Sequence, residues 1–225
     1  MIDNKASTTE QPCGKPSQPR SLTIETLAQG VAFLSDVDKD LARINAELGP
    51  PPMWARKPGF PTLVHIILEQ QVSLASARAA LIKLKEVTLA VTPEKFLELS
   101  DRELKKIGFS RQKTSYCRGL ALSILNDEID LAALDSMDDP SVRSTLMKVK
   151  GIGPWTADIY LLMALLRPDI WPLGDLALAS AIRGVKALSS RPDPEELDRI
   201  ALPWRPWRAV AARLLWHYYL SKRRG

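Results

Sequence analysis

The stretch "VKGIGPWTAD", residues 149–158, sets two glycines, Gly151 and Gly153, at one joint between segments of helical periodicity and follows them at once with Pro154 and Trp155. Glycine within a helical pattern costs about 1 kcal/mol relative to alanine, so a pair of them needs a reason. The first helix is expected to end near Lys148. Gly151 and Gly153 admit backbone angles closed to other residues. Pro154 suits the first turn of the next helix, where its missing N–H would be unbonded anyway. The unused N–H groups of residues 151–155 then point outward at a positive helix end, and no Cβ keeps a phosphate away from them. Lys148 and Lys150 add charge. A plain turn with a glycine C-cap accounts for one glycine; two of them before a helix start favour a grip on an anion.

Outward from this joint, helical periodicity dominates and no strand-and-hairpin series is present. "SLTIETLAQGVAFLSDVDKDLARINAELG" gives one or two helices, with Leu22, Ile24, Leu27, Val31 and Leu34 on an apolar side and Ser35 with Asp38 as a capping break. "PPMWARKPG" is a proline-rich loop. "TLVHIILEQQVSLASARAALIKLKEV" holds two helices, or one broken near the polar "EQQ". "SDRELKKIGFSRQKTSYCRGLALSIL" reads helix, Gly108 turn, helix, with Ser100 and Glu103 as a capping box. An acidic loop follows, then the hairpin region, the loop "RPDIWPLGD" and the helix "LALASAIRGVKAL". With the C-terminal segments, about ten helices are expected.

The chain has 225 residues, 45% of them hydrophobic, enough for a globular core. The net charge is +5, compatible with nucleic acid. Charge is uneven: residues 105–118 carry five basic side chains, 204–225 carry six, and neither run holds an acidic one. Any one such run reads most simply as a solvated helix face. Two cysteines, Cys13 and Cys117, supply neither a disulfide framework nor a cysteine-ligated cluster, and His65 and His217 argue against a histidine-rich metal site. Residues 1–20 read as a disordered polar tail without a secretory signal, and no apolar run reaches membrane-spanning length. A soluble, reduced, cytoplasmic protein is expected, nucleoid-associated if bacterial.

"ILEQQVS", "GFSRQKTSYCRGLA", "VKGIGPWTADIY", "WPLGDLAL" and "RPWRAVAARLLW" stand in one order over about residues 60–220. In that order they resemble the helix–hairpin–helix (HhH-GPD) DNA glycosylase superfamily, and within it the 3-methyladenine DNA glycosylase II branch. The resemblance implies an all-α fold of two helical lobes with the active-site cleft between them. Lobe 1 is expected from about 21–60 plus 176–225, lobe 2 from about 61–175, with the hairpin at 148–155. The N-terminal β-rich domain of longer relatives is not expected in a chain of this length. The implied activity is hydrolysis of the N-glycosidic bond of alkylated purines, such as 3-methyladenine and 7-methylguanine, flipped out of double-stranded DNA by a monomeric enzyme. Another damaged base in the same fold, a non-catalytic DNA binder and a purely structural protein are the alternatives.

Asp175, after "IWPLG" and before an apolar helix, reads first as an N-cap; the resemblance maps the catalytic aspartate onto it. A carboxylate fixed beside C1′ stabilises the positive charge that develops as the bond breaks. Trp155 stands where bifunctional glycosylase/lyases carry a Schiff-base lysine, so no lyase activity is expected. Trp155 and Trp216 match aromatic pocket positions that would hold a cationic base by stacking and cation–π attraction. Ile159 replaces a tyrosine there, with Tyr160 and Tyr218 as substitutes. "EQQVS" resembles the wedge segment, which points to Gln71 with Gln70 beside it. Phosphate contacts are expected from Lys148, Lys150, Gly151, Gly153, Thr156, Arg111 and Lys113. No cofactor is required and no iron–sulfur cluster is expected; a sodium or potassium ion could sit on the carbonyls of Met147, Val149 and Ile152.

Overall fold

Asp38 shows how the chain makes its first corner. Its carboxylate accepts from the backbone N–H groups of Asp40 and Leu41, ending α1 (Ile24–Val37) and starting α2 (Lys39–Leu48). Ser35 takes no part in this cap; its hydroxyl donates back to the Val31 carbonyl within α1. Of the expected apolar side, Leu22, Leu27, Val31 and Leu34 are buried, whereas Ile24 is exposed in the first turn.

The computed structural model describes residues 21–223; the tail 1–20, with Cys13, lies outside the described residues. Among these there are twelve α-helices, two short 3-10 turns and no strand. After α2 come α3 (Phe60–Glu69), α4 (Leu74–Thr88), α5 (Pro93–Glu98), α6 (Asp101–Ile107), α7 (Arg111–Leu125), α8 (Asp139–Met147) and α9 (Pro154–Met163). The chain closes with α10 (Leu176–Val185), α11 (Pro194–Ala201) and α12 (Arg208–Ser221). The short α5, capped by Thr92, lies in a stretch whose sequence pattern is too brief to show periodicity.

Helices α1, α2, α10 and α12 pack on one another, and α3 to α9 pack among themselves. Glycine and proline mark the joints. Gly108 ends α6 in the left-handed region at φ 119°, and the Ser100–Glu103 capping box starts it. The core is apolar throughout, with Leu34, Leu41, Ile44, Leu63, Ile66, Ile67 and Leu84 fully buried. Each such side chain contributes about 1.5–3 kcal/mol by leaving water.

The first helix group is pinned by charge as well. Lys186, just past α10, donates to Asp38 at 2.7 and 2.8 Å and to Asp40 at 2.9 Å, while the Trp204 indole donates to Asp38 at 2.9 Å. Burial opposes ionisation of Asp38, but the ammonium and the indole outweigh it and hold the carboxyl below its ordinary value. A depressed folded-state pKa gives stability present above the unfolded value of about 3.9 and lost as pH falls through the folded value. Asp38→Asn keeps a good cap but loses the ion pair. It is expected to melt lower than the parent at pH 7, by about 1–2 kcal/mol after allowing for solvent screening. The gap should narrow as pH falls below about 3.9, and thermal melts at pH 7 and at decreasing acid pH test it; an unchanged gap would contradict the linkage.

Candidate active site

Asp175 opens α10. Gly174, at φ 81°, turns the chain into it, and Oδ1 of Asp175 accepts from the N–H of Leu178 at 2.9 Å. The cap read from the sequence is therefore present. The same carboxylate does more. Trp155, in the first turn of α9, donates Nε1–H to Oδ2 at 3.0 Å, and Trp216, on α12, donates Nε1–H to Oδ1 at 3.3 Å. Three helices, two from the first group and one from the second, thus converge on a side chain of a residue only 8% exposed. A carboxylate offers about four lone-pair directions. Three are taken, so the group is fixed in position with one direction to spare. It also sits at the N-terminus of α10. Both indole N–H groups are committed, so the two tryptophans offer a ligand only ring faces and edges.

A third tryptophan joins them. Trp54, from the proline-rich loop, lies edge-to-face on Trp216 with ring centroids 6.4 Å apart. Its backbone is left-handed at φ 48°, unfavourable for a bulky residue, and the loop is clamped on both sides of it. Behind it, the N–H of Arg56 donates to the Met163 carbonyl at 2.8 Å and its guanidinium makes two bonds to Glu69 at 2.7 and 2.9 Å. Ahead of it, the wholly buried Arg213 donates to the carbonyls of Met53, Ala209 and Leu162 at 2.7–2.9 Å. Burial pushes the guanidinium pKa down, and three carbonyls offset the lost hydration. The sequence reading named neither Trp54 nor Arg213. The available signal was an arginine one turn before Trp216, among the apolar positions of α12.

Tyr160 and Ile159 lie about one turn beyond Trp155 on α9. Both are buried in the core, Tyr160 completely, and the Tyr160 hydroxyl accepts the Gly59 N–H at 3.0 Å. On α9, Trp155 in the first turn is bonded to Asp175. Residues 159 and 160 follow a turn further on, in a helix packed against α3 and α8. Tyr218 is half-buried on α12.

The hairpin forms as expected at its ends: α8 stops at Met147, Lys148 caps it, and Pro154 is the first residue of α9. Its two glycines have different reasons. Gly151 is at φ 95°, and a Cβ there would stand 2.1 Å from the Tyr116 ring. Gly153 is extended at φ −96°, ψ −178°, which any residue can adopt, and a Cβ there would meet nothing within 4 Å. Conformational freedom therefore explains Gly151 only; Gly153 leaves open space before the N-terminus of α9. Among the described residues, the N–H groups of Gly151, Gly153 and Trp155 have no hydrogen-bond acceptor. Lys148 and Lys150 are exposed and unpaired among the described residues, as is Arg111.

Three residues expected at the DNA interface also hold the hairpin or its support. Gln70 Nε2 donates to the Gly151 carbonyl and to the buried Thr156 hydroxyl, both at 2.9 Å. Lys113 Nζ donates to the Leu68 carbonyl at 2.7 Å, completing the end of α3. Gln71, by contrast, is exposed at φ 56°, at the tip of the turn with exposed Val72 beside it. A cleft of about 330 Å³ opens between this turn, α7 and the hairpin. The C-terminal basic run is only partly surface, since Arg208 pairs with Asp169 at 2.8 Å and Arg213 is buried. The Val149 carbonyl already accepts the Ile152 N–H at 3.0 Å.

These geometries predict opposite phenotypes for adjacent residues. Gln70→Ala leaves a carbonyl and a hydroxyl without their donor and is expected to cost about 1–2 kcal/mol of stability. Gln71→Ala should leave the melting temperature within about 1 °C while weakening duplex binding. Melting curves and a binding titration on both variants separate the roles; equal destabilisation by the two would refute them.

Residues 64–206 match the family model described as HhH-GPD superfamily base excision DNA repair protein. An alkylbase DNA glycosidase-like protein, mag2, of Schizosaccharomyces pombe is 27% identical over 85% of this chain and 93% of its own length. A DNA-3-methyladenine glycosylase of Bacillus subtilis is 29% identical over 55% of this chain and 41% of its own length, so the chain matches less than half of that relative. The structure of Schizosaccharomyces pombe 3-methyladenine DNA glycosylase (Mag1) in complex with abasic DNA superposes with a TM-score of 0.78, covering 84% of this chain and 95% of that one at 23% identity. That likeness shows the fold.

Proposed function

The chain belongs to the HhH-GPD superfamily of base excision DNA repair proteins, and from that premise we propose that it is a monofunctional DNA glycosylase for alkylated purines, 3-methyladenine and 7-methylguanine, in double-stranded DNA. The observation that carries the reading is the Asp175 carboxylate, buried and held by Trp155, Trp216 and the Leu178 N–H.

The chemistry follows from that arrangement. A flipped nucleotide brings C1′ against the remaining face of the carboxylate. As the glycosidic bond lengthens, positive charge grows on the sugar, and a fixed anion in a water-poor site stabilises it without reorganising. Water then adds at C1′ and loses its proton, leaving an abasic site. The base departs with the bonding electron pair. A methylated purine is cationic and leaves as a neutral base, so little acid catalysis is needed from the protein. Tryptophans with committed N–H groups suit such a base, which they bind through ring faces.

Three features support hydrolysis without strand cleavage. Trp155 occupies the position where a lyase needs an amine, and its indole is bonded to Asp175. Lys148 and Lys150 lie before the loop and face outward. The open N–H groups of the hairpin, with these lysines and Arg111, fit the phosphates of the lesion strand. Gln71 fits the space left by the flipped base. No cofactor enters the reaction; the neutral carbonyls of Met147, Val149 and Ile152 suit at most a structural sodium or potassium ion. A monomer in the cytoplasm completes the proposal. A panel of duplexes, each with one lesion, tests it. Release of methylated purines is expected, and release of 8-oxoguanine with no methylated purine would overturn the substrate assignment.

A further inference from the structure

On α9, Trp155 is the aromatic residue bonded to Asp175, whereas Tyr160 is buried in the core with its hydroxyl on the Gly59 N–H. We propose that Trp54, from the loop between α2 and α3, supplies a further wall of the pocket beside Asp175 and sets the preference for cationic bases. The inference rests on the glycosylase reading above.

Four observations converge. Trp54 is half-buried, so part of its ring remains open. It lies 6.4 Å from Trp216, whose indole N–H is bonded to the Asp175 carboxylate, which puts it one ring away from the reacting centre. The two rings meet at 70°, so Trp54 and Trp216 form a corner rather than a stack. A planar base entering such a corner lies on one face and meets the other edge-on. Finally, the residue keeps a left-handed backbone at φ 48° that a bulky side chain does not favour. Strain of this kind persists only where surrounding contacts enforce it. Here they do: Arg213 holds the Met53 carbonyl, and Arg56 is fixed to Met163 and Glu69. Arg213 also holds the Leu162 carbonyl of α9 and lies one turn from Trp216 on α12. One buried guanidinium thus sets the relative positions of the elements bearing all three tryptophans.

Trp54 would then act in two ways. Its ring adds stacking for any flipped purine and cation–π attraction for a methylated, charged one. Loss of the ring should therefore weaken handling of both classes, and of the charged class more.

The test compares single-turnover release of 7-methylguanine and of the neutral purine hypoxanthine from matched duplexes by the parent, Trp54→Ala and Trp54→Phe. Trp54→Ala is expected to lose about 3- to 30-fold more activity on 7-methylguanine than on hypoxanthine, the range a cation–π contact gives. Trp54→Phe should recover part of that loss. If hypoxanthine release is too slow to measure in the parent, the ratio is replaced by retention of 7-methylguanine release in Trp54→Phe against its loss in Trp54→Ala. Melting curves of all three proteins accompany the assay. An Ala variant that melts as the parent does and releases 7-methylguanine at the parental rate overturns the inference and leaves the glycosylase reading standing. A parent that releases no methylated purine overturns that reading, and this inference with it. An Ala variant that loses activity only in proportion to a large fall in melting temperature, with no recovery in Phe, assigns Trp54 to packing and also overturns it.

Discussion

Asp175→Asn is expected to release methylated purines at least about 10²–10³-fold more slowly than the parent, the cost of removing one preorganised electrostatic group, while remaining folded and still binding duplex DNA that contains an abasic site. The substitution was chosen for its local geometry. Asparagine is as good an N-cap as aspartate, and its Oδ1 can still accept from Leu178 and Trp216. Its amide nitrogen, however, faces the Trp155 indole N–H, so one bond of 3.0 Å is replaced by two opposed donors. That should cost about 1 kcal/mol, or about 2–4 °C in melting temperature for a chain of this size. The loss of rate is therefore far larger than the loss of stability. Asp175→Ala is a poorer test because it also removes the cap. A variant with parental rates would show that Asp175 is a cap and nothing more.

Gly151→Ala is expected to be the most destabilising single methyl addition in the hairpin, by about 2–4 kcal/mol. Two causes add. A residue with a Cβ is strained at φ 95°, and the methyl would stand 2.1–2.5 Å from three ring carbons of Tyr116. The clash falls on Cγ and both Cδ atoms, the root of the Tyr116 ring rather than a flexible chain end. The double variant Gly151→Ala/Tyr116→Ala separates the causes: it should lose the steric part and keep the strain. Gly153→Ala is the control. Its backbone is extended and the space ahead of it is open, so its stability should change little while duplex binding weakens, since the added methyl stands before the N-terminus of α9. Thermal melts and binding titrations on these variants check both points; equal melting of Gly151→Ala and Gly153→Ala would contradict the account.

Several parts of this structure were legible in the sequence because local rules decide them. The capping box at Ser100 and Glu103, the proline that starts α9 and the end of α8 near Lys148 depend on neighbours within one turn. Asp175 was legible as a cap for the same reason. Its bonds to Trp155 and Trp216 were not, because those residues lie 20 and 41 positions away and only packing brings them together. The supporting bonds of Gln70, Thr156 and Lys113 were hidden on the same ground. Polar side chains near a turn have the composition of a binding site, but here long-range partners use them to hold the hairpin. Gly151 and Gly153 look alike in the sequence, but one answers to a ring 35 positions earlier in the chain and the other to open space. Trp54 gives no signal in the sequence because a proline-rich loop carries no periodicity, and its place is set by Arg213, 160 positions along the chain from the carbonyl it holds.

The central claim is that a clamped carboxylate, with no amine in the lyase position, makes the protein a hydrolytic glycosylase for alkylated purines. The most direct measurement incubates purified protein with methylated duplex DNA, quantifies free 3-methyladenine and 7-methylguanine, and scores strand breaks on the same sample with borohydride present and absent. The account predicts release of both bases, strands that break only after alkali, and no borohydride-trapped protein–DNA adduct. No base release, or a trapped adduct with strand cleavage in its absence, would contradict it.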